Sequence, residues 1–337
     1  MSGSAAVTGG GGFLGGAVVD ALLARGERVA SISRGAYPEL EARGVETLRA
    51  DLADDPSTLT EFLRRREVDT VYHCAARPGV FGSARLYERA NVDATARVLE
   101  ACRAAGVPRL VFTSSPSVVF DGGDHVNAGP DLPYPDRYLA HYPRTKAEAE
   151  RLVLAADAPE LATVSLRPHL IFGPQDPNLI PRLLERADAR RLRIVGDGMS
   201  EVSLTYVENA AAAHLAAADG LREDPADLHG RAFFVNNDEP VRLWQWINRI
   251  LEGTGRSPVT RRVPAAAAYA AGACLELAYG ALRLAGEPPM TRFVARQLAT
   301  SHSYDMAPFK SACRGRYHEP VGLDEATRRT IAWAGRS

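Results

Sequence analysis

Ser4-Ala-Ala-Val7-Thr8-Gly9-Gly10-Gly11-Gly12-Phe13-Leu14-Gly15 decides how this chain of 337 residues is read. Ser4 to Val7 is a short apolar run of strand length. From Phe13 to Arg25 the residues Leu14, Val18, Leu22 and Leu23 recur on one side with helical period. Gly9, Gly12 and Gly15 form G-x-x-G-x-x-G in the turn between the two. Glycine accepts positive φ in a tight turn and lacks the Cβ that would block a pyrophosphate. A helix starting there offers unpaired N–H groups and the positive end of its dipole, and Gly15 lets that helix approach the strand closely. A lone glycine motif says little. One lodged between an N-terminal strand and a helix points to a dinucleotide cradle, with Phe13 and Leu14 at its rim.

The alternation continues outward from this unit. Strands are expected at Arg28–Ser33, Val45–Arg49, Thr70–Cys74, Arg109–Thr113 and Ala162–Leu166, with helices over 57–66, 84–105 and 142–156. Ser57 reads as an N-cap, and Gly106 as the end of the long helix. Regular strand–helix alternation predicts an α/β fold, a Rossmann-type doubly wound parallel sheet with right-handed crossovers. After Pro168 the rhythm breaks. A turn-rich loop runs Phe172-Gly-Pro-Gln-Asp-Pro177, followed by a helix over 180–190 and a short strand over 192–195. Ala232–Val235 reads as a late strand returning to the main sheet. The expected division is a dinucleotide-binding domain at 1–171, with a return near 196–236. A smaller, mainly helical substrate-binding domain takes 172–195 and 237–337.

Lys and Arg total 40 against 41 Asp and Glu, so the net charge is -1 and no basic field awaits nucleic acid. Cys74, Cys102, Cys274 and Cys313 lie at long irregular gaps with no metal-ligand spacing. No metal is expected, and the thiols read as reduced and mostly buried in a cytoplasmic protein. The first strand follows no basic, apolar leader, so no signal peptide is expected. No run reaches the roughly 18–20 apolar residues of a spanning helix. Ala265–Ala285 comes nearest but carries Glu276 and Arg283. It reads as a packed or amphipathic helix, with docking on a membrane surface or a partner as the alternative.

Two further places carry chemistry. The second strand ends at Ser33-Arg34, where a ribose 2′-hydroxyl would ask for an acid. A hydroxyl and a guanidinium suit a 2′-phosphate instead, so NADPH is expected over NADH. Asp51 is a candidate acceptor for the adenine amino group, with Leu52 on the ring; a helix-entry cap is the other reading. Tyr142-Pro-Arg-Thr-Lys146 puts Tyr142 and Lys146 on one helical face. A phenol with a pKa of about 10 is a poor base, and a nearby ammonium favours its ionised form. Thr113-Ser114-Ser115 closes the fifth strand, and a serine hydroxyl at that edge is able to polarise the substrate oxygen that Tyr142 protonates. Ser114 and Ser115 both stand as candidates for that serine, Ser115 being preferred.

The glycine loop, Asp51-Leu52, His73-Cys-Ala75-Ala76, Asn91, Thr113-Ser-Ser115, Tyr142-x-x-x-Lys146 and Leu166-Arg-Pro168 occur in an order that resembles the extended short-chain dehydrogenase/reductase superfamily. Within it, the chain is similar to the 3β-hydroxysteroid dehydrogenase-like branch. It is more similar still to the 2-alkyl-3-oxoalkanoate reductases of bacterial olefin and β-lactone pathways. Arg34-Gly-Ala-Tyr-Pro-Glu-Leu40, Thr113-Ser-Ser-Pro-Ser-Val118, Leu161–Pro168 and Gly286-Glu-Pro-Pro-Met-Thr-Arg-Phe293 carry that likeness. The resemblance implies reduction of a β-keto group in a fatty-acid-like substrate. Tyr142 would be proton donor, Ser114 or Ser115 the carbonyl anchor, and Lys146 the residue that lowers the Tyr142 pKa and holds the ribose. Steroid dehydrogenase/decarboxylase and nucleotide-sugar epimerase are the alternatives within the superfamily; a non-catalytic redox sensor is the alternative outside enzymes.

The same resemblance places Ala75, Ala76 and Thr113 at the cofactor. Pro168 to Ile171, Leu170 among them, falls on the nicotinamide side, and Asn91 beside the active-site helix. Arg77 with the Pro78–Phe81 loop falls near a lipid-like substrate. It implies a homodimer through 84–105 and 142–156, and allows membrane-surface or multi-enzyme association. Two stretches depart from the family pattern. Val118-Val119-Phe120-Asp121 replaces the usual aromatic-glycine step beside the substrate. Ala94 replaces a glycine, a change expected to touch only helix packing. His73 and His169 read as core or cofactor-side histidines, Arg167 as a structural arginine paired with a carboxylate, and Trp244 and Trp246 as packing residues.

Overall fold

A computed structural model describes residues 3–223 and 225–336. The first half runs β1 (Ser4–Thr8), α1 (Phe13–Ala24), β2 (Arg28–Ser33), α2 (Pro38–Glu41), β3 (Glu46–Arg49), α3 (Ser57–Arg65) and β4 (Thr70–His73). It continues through α4 (Ala84–Tyr87), α5 (Ala94–Ala105), β5 (Arg109–Thr113), β6 (His125–Ala128), α6 (His141–Ala155) and β7 (Ala162–Pro168). All five residues of β1 are buried. Ala5 and Val7 join the core shared with α1, whereas Ala6 points into the core under α3, α5 and α6. A strand covered on both faces needs an unbroken apolar run, and Ser4–Val7 is one.

The second half runs β8 (Ile171–Phe172), α7 (Leu179–Asp188), β9 (Ile194–Val195), β10 (Glu201–Val202), β11 (Thr205–Tyr206), α8 (Val207–Glu223), β12 (Arg231–Val235) and β13 (Val241–Arg242). After these come α9 (Leu243–Gly253), β14 (Arg262–Val263), α10 (Ala265–Ala281), α11 (Arg292–Ala299), β15 (His302–Tyr304), α12 (Ala307–Ala312) and α13 (Leu323–Ala334). Seven parallel strands form the main sheet in the order β12-β7-β5-β4-β1-β2-β3. The doubly wound Rossmann-type sheet expected from the sequence is present, with Arg231–Val235 returning to its edge. The order reverses between β1 and β4, and ligands bind such sheets at that crevice.

Three local expectations change. The helix over 84–105 is one path in three pieces, because Glu88–Asp93 between α4 and α5 makes a wider π turn. Apolar spacing does not announce such a bulge, which recurs at functional sites. Ser57 does not cap α3 with its side chain: Pro56 is the capping position, and Ser57 donates its N–H to Asp55 Oδ1 at 2.7 Å. Residues beyond Pro168 are less exclusively helical than expected. A small sheet β13-β10-β15-β6 draws β6 from the unassigned stretch before α6. Of the returning stretch 196–236, α8 and β12 pack with the main sheet, whereas β10 belongs to the small one. A separate apolar core gathers Phe172, Tyr206, Trp244, Trp246 and Ile250, so both tryptophans are buried packing residues.

Candidate active site

The turn after β1 has the shape its glycines require. Gly9 takes φ +71°, and a Cβ there would stand 3.1 Å from the Ala75 backbone after β4. At Gly15 a Cβ would fall 2.1 Å from the Gly9 carbonyl oxygen, so only glycine lets α1 seat on the turn. Gly12 is exposed at the N-cap of α1, with its N–H on the Gly9 carbonyl at 2.8 Å. A cleft of about 420 Å³ opens here, lined by Gly9, Gly12, Phe13, Leu14, Gly15, Ser33, Arg34, Asp51, Leu52, Ala75 and Ala76. Bare backbone at a helix start, a guanidinium and an apolar wall suit a dinucleotide's phosphates and adenine.

Within that cleft Ser33 Oγ is buried without a partner, and the Arg34 side chain is exposed. Asp51 is already engaged: Oδ1 accepts from Ala53 N at 3.1 Å and Oδ2 from Arg89 at 3.2 Å. These bonds, the Ala53 N–H foremost, hold its carboxyl below the usual range. Asp51 thus caps its own turn rather than the entry to α3, and it lines the cleft. Ala94 also lines the cleft, so the replaced glycine touches the site as well as helix packing.

A buried network sets the wall. Thr95 donates to the Asn91 carbonyl at 2.6 Å, so its oxygen accepts from His73 Nε2 at 3.0 Å. His73 Nδ1 then accepts from Thr8 Oγ1 at 2.7 Å, and Thr8 accepts from Ala75 N at 3.1 Å. Burial drives His73 down to about 3, so it stays neutral and structural. It fixes where Ala75 lies without touching protons in a reaction.

Tyr142 and Lys146 stand one turn apart at the start of α6. Lys146 is 2% exposed, donates from Nζ to the Thr113 carbonyl at 2.6 Å, and sits 4.0 Å over the Phe112 ring. Burial lowers its pKa to about 7. Tyr142 is held above the ordinary phenol value by burial, with a hydrogen bond to Ser115 pulling the other way. Burial is the larger influence on Tyr142 in this structure, and the Lys146 amine donates to Thr113. A protonated phenol is the form that gives a proton away.

The two serines part company. Ser115 caps the 3₁₀ turn Pro116–Val118, accepting from Ser117 N at 3.2 Å and pairing with Ser117 Oγ at 2.9 Å. Ser114 is buried, and its hydroxyl has no hydrogen-bond partner. Thr113 meets the site through its carbonyl, its hydroxyl being spent on His214 at 2.8 Å.

The orientation of α6 is secured from both sides. Asn91 donates to Thr145 at 3.0 Å and accepts from Arg77 N at 2.7 Å, tying the π turn to the helix between Tyr142 and Lys146. On the other side Glu150 takes Arg167 Nη2 at 2.8 Å, with the two side chains 0% and 3% exposed. Arg167 is thus the paired structural arginine that was expected. It anchors α6 to β7.

A family model described as the 3-beta hydroxysteroid dehydrogenase/isomerase family matches residues 6–263. The chain belongs to that family. It is 44% identical to a 2-alkyl-3-oxoalkanoate reductase of Stenotrophomonas maltophilia, over 97% of this chain and 98% of that one. A protein of the same description from Shewanella oneidensis is 42% identical, over 97% and 85%. The mouse sterol-4-alpha-carboxylate 3-dehydrogenase, decarboxylating, is 36% identical, over 96% and 89%. Among solved structures, MoeE5 in complex with UDP-glucose and NAD superposes with a TM-score of 0.74 at 28% identity, covering 99% of both chains. This member of the 3-beta hydroxysteroid dehydrogenase/isomerase family is an NAD(P)-dependent oxidoreductase acting on a CH–OH/C=O pair.

Some residues of the family member's site escaped sequence reading. Tyr37 lines the cleft and lies across Gly11, where a Cβ would meet its ring at 2.3 Å. Pro177 and Asn178 close the cleft from the second half, and no local pattern signals that approach. Ser117 was legible in Ser115-Pro-Ser117, a spacing suited to a capping serine. Pro168 is buried at the end of β7, paired in register with Val235. Leu170 takes φ +43° and packs against the second-half core. His169 Nε2 bonds His302 Nδ1 at 2.6 Å, whose Nε2 donates to the Gln297 carbonyl at 2.7 Å. Burial lowers both, so this is a neutral chain. In the departing loop Phe120 packs edge-on against Phe293 at 5.9 Å, joining that loop to the 286–293 motif.

Proposed function

We propose that this protein uses NADPH to reduce the β-keto group of a 2-alkyl-3-oxo acid or similar fatty-acid-like substrate to the β-hydroxy acid. The observation that carries the reading is the placing of Tyr142 one turn before the buried Lys146 on α6, with Lys146 bonded to the Thr113 carbonyl at the carboxyl end of the sheet. The relatives at 44% and 42% identity support the substrate class.

Gly9, Gly12 and the start of α1 would hold the pyrophosphate, Phe13, Leu14, Asp51 and Leu52 the adenine side, and Ala75, Ala76, Pro168 and Leu170 the nicotinamide side. Ser33 and Arg34 support the NADPH preference: an unpartnered hydroxyl and an exposed guanidinium stand where an acid would repel a 2′-phosphate. When bound, the cofactor supplies two electrons and one hydrogen to the carbonyl carbon. Ser115 donates a hydrogen bond to the carbonyl oxygen and holds it within reach of Tyr142. Tyr142 delivers its phenolic proton to that oxygen as charge builds on it. Lys146 grips the ribose hydroxyls with the donors that Thr113 leaves free, and its charge steadies the phenolate left behind.

The homodimer through 84–105 and 142–156 remains part of this proposal; Leu152, 37% exposed on α6, supports it. A decarboxylating sterol dehydrogenase is the second reading, on the 36% identity with the mouse enzyme.

The test follows reduced-nicotinamide absorbance with NADPH or NADH and a 2-alkyl-3-oxo fatty acid, with a 3-keto steroid in parallel. Turnover with the fatty acid and a preference for NADPH are expected. Turnover with the steroid alone transfers the site to the second reading, and better use of NADH removes the role given to Arg34.

A further inference from the structure

The helix α10 covers 17 residues, about 25 Å at helical rise, yet only Ala268 and Gly272 of it are buried. Gly272 explains the seat: a Cβ there would stand 2.6 Å from the Thr291 backbone, so the helix lies close on the start of α11. The only charged residue from 265 to 282 is Glu276, and it faces inward. It accepts from Arg292 N and Nε, both at 2.7 Å. The opposite face carries Ala266, Ala267, Ala270, Ala271, Cys274 and Leu277, all exposed and spaced as one stripe. Leu277 is 74% exposed, and Leu282, just past the helix, is 69% exposed.

Charge gathers at one end of this stripe. The strand Arg262–Val263, which feeds α10 through Pro264, pairs in parallel with Ile194–Val195. That pairing brings Arg190, Arg191 and Arg193 alongside Arg261 and Arg262. Among the described residues none of these five arginines has a carboxylate within ion-pair distance. Asp188 nearby is already held by Arg256 at 2.7 Å. A chain of net charge -1 thus collects five uncompensated cations beside a helix whose exposed stripe carries no charge.

We propose that this face docks on an anionic lipid bilayer. The α10 stripe and Leu282 sink into the interface, and the arginines meet headgroup phosphates. Apolar area and positive charge add in this mode of binding, which needs no spanning segment, and no described helix is long and apolar enough to span. A protein partner would answer the apolar stripe, whereas the uncompensated cations specifically call for clustered phosphates. The docked face adjoins the mouth of the site: Tyr279 meets Phe81 edge-on at 6.1 Å, and Glu287 accepts from Val80 N at 3.0 Å. Entry of substrate from the bilayer rests on the fatty-acid-like reading above; docking itself rests on this face alone.

Sedimentation of the full chain with vesicles of phosphatidylcholine, alone or with one third phosphatidylglycerol, tests the idea without any substrate. Binding to the anionic vesicles, weakened by salt, is expected. Leu277→Asp with Leu282→Asp should weaken it at least tenfold, and Arg261→Glu with Arg262→Glu severalfold. Both double variants should keep wild-type NADPH turnover on a dispersed substrate. A polarity-sensitive dye on the exposed Cys274 should shift to the blue with anionic vesicles. Absence of binding to anionic vesicles, or equal binding by wild type and variants, overturns the proposal. So does a wild-type dimer that the leucine variant disperses, because a second copy would then cover the face. Vesicle binding without ketoreductase turnover would leave docking standing and sink only the substrate reading.

Discussion

In the first half, β1 runs alongside β2 over five residue pairs and β4 alongside β5 over four. In the second half, β9 with β14 and β8 with β11 have two pairs each. What short ladders lack there, side chains supply. Asn209 donates to the Val321 carbonyl at 2.7 Å and accepts from Val321 N at 3.0 Å, across 112 residues of sequence. Asn237 accepts from Tyr206 N at 2.8 Å and donates to Glu319 at 2.7 Å. The first half is specified by local apolar runs that find each other through backbone. The second depends on a few buried polar residues placed far apart in sequence. The helix α6 mixes the two, being held to the sheet by the Glu150–Arg167 pair.

The widest separation of chemistry from architecture comes from Tyr142→Phe. Turnover should fall by about 10²–10⁴-fold, the usual worth of a positioned acid, with the thermal midpoint unchanged. Near-normal turnover would break the assignment. Glu150→Gln strikes the architecture instead. It leaves Arg167 buried without its charge partner, at a cost of about 3–5 kcal/mol in chemical denaturation. Burial pushes the Glu150 carboxyl up, but the charge and hydrogen bonds of Arg167, with the Ser165 hydroxyl, together hold it below the ordinary carboxylate value. Its contribution is therefore present above the unfolded carboxyl pKa and disappears as pH falls through the lower folded value. The deficit of the variant should accordingly shrink in acid, and a deficit independent of pH would deny the pairing that role.

Asn209→Ala probes the second half. Leaving Val321 N unpaired, and its carbonyl with Asn237 as sole donor at 3.0 Å, should cost about 1–3 kcal/mol, with cofactor affinity retained. A loss shared equally by cofactor binding would show that the two halves do not differ as described. The smallest effect is expected from Lys146→Met, and it has the opposite sign. The folded pKa of Lys146, about 7, lies below its unfolded value. The penalty of its buried charge is thus fully present below pH 7 and is relieved as pH rises towards the unfolded pKa. The variant should lose turnover yet melt higher than wild type at pH 6, with the advantage shrinking by pH 9. The lost bond to Thr113 limits the gain, and a variant that melts lower at both values would overturn the sign.

Sequence reading succeeded where chemistry and spacing are local. Gly9, Gly12 and Gly15 announce a turn because no other residue fits it, and Tyr142 with Lys146 announces a shared face by helical period. It failed where the deciding contact is distant. Ser114 and Ser115 are adjacent and identical, and only the turn at Pro116, which Ser115 caps, sets them in different surroundings. The π turn at Glu88–Asp93 leaves no mark on apolar spacing, and Pro177 and Asn178 reach the cleft from another element.

By itself, then, the sequence determined the parallel sheet, the cradle after β1 and the pair on α6. Each depends on residues within a few positions of one another, for which backbone sterics and helical period suffice. Only the tertiary structure decided the burial of Tyr142 and Lys146, the partner of Arg167 and the exposure of the α10 stripe. Desolvation and long-range pairing are properties of the packed chain, and no short stretch contains them.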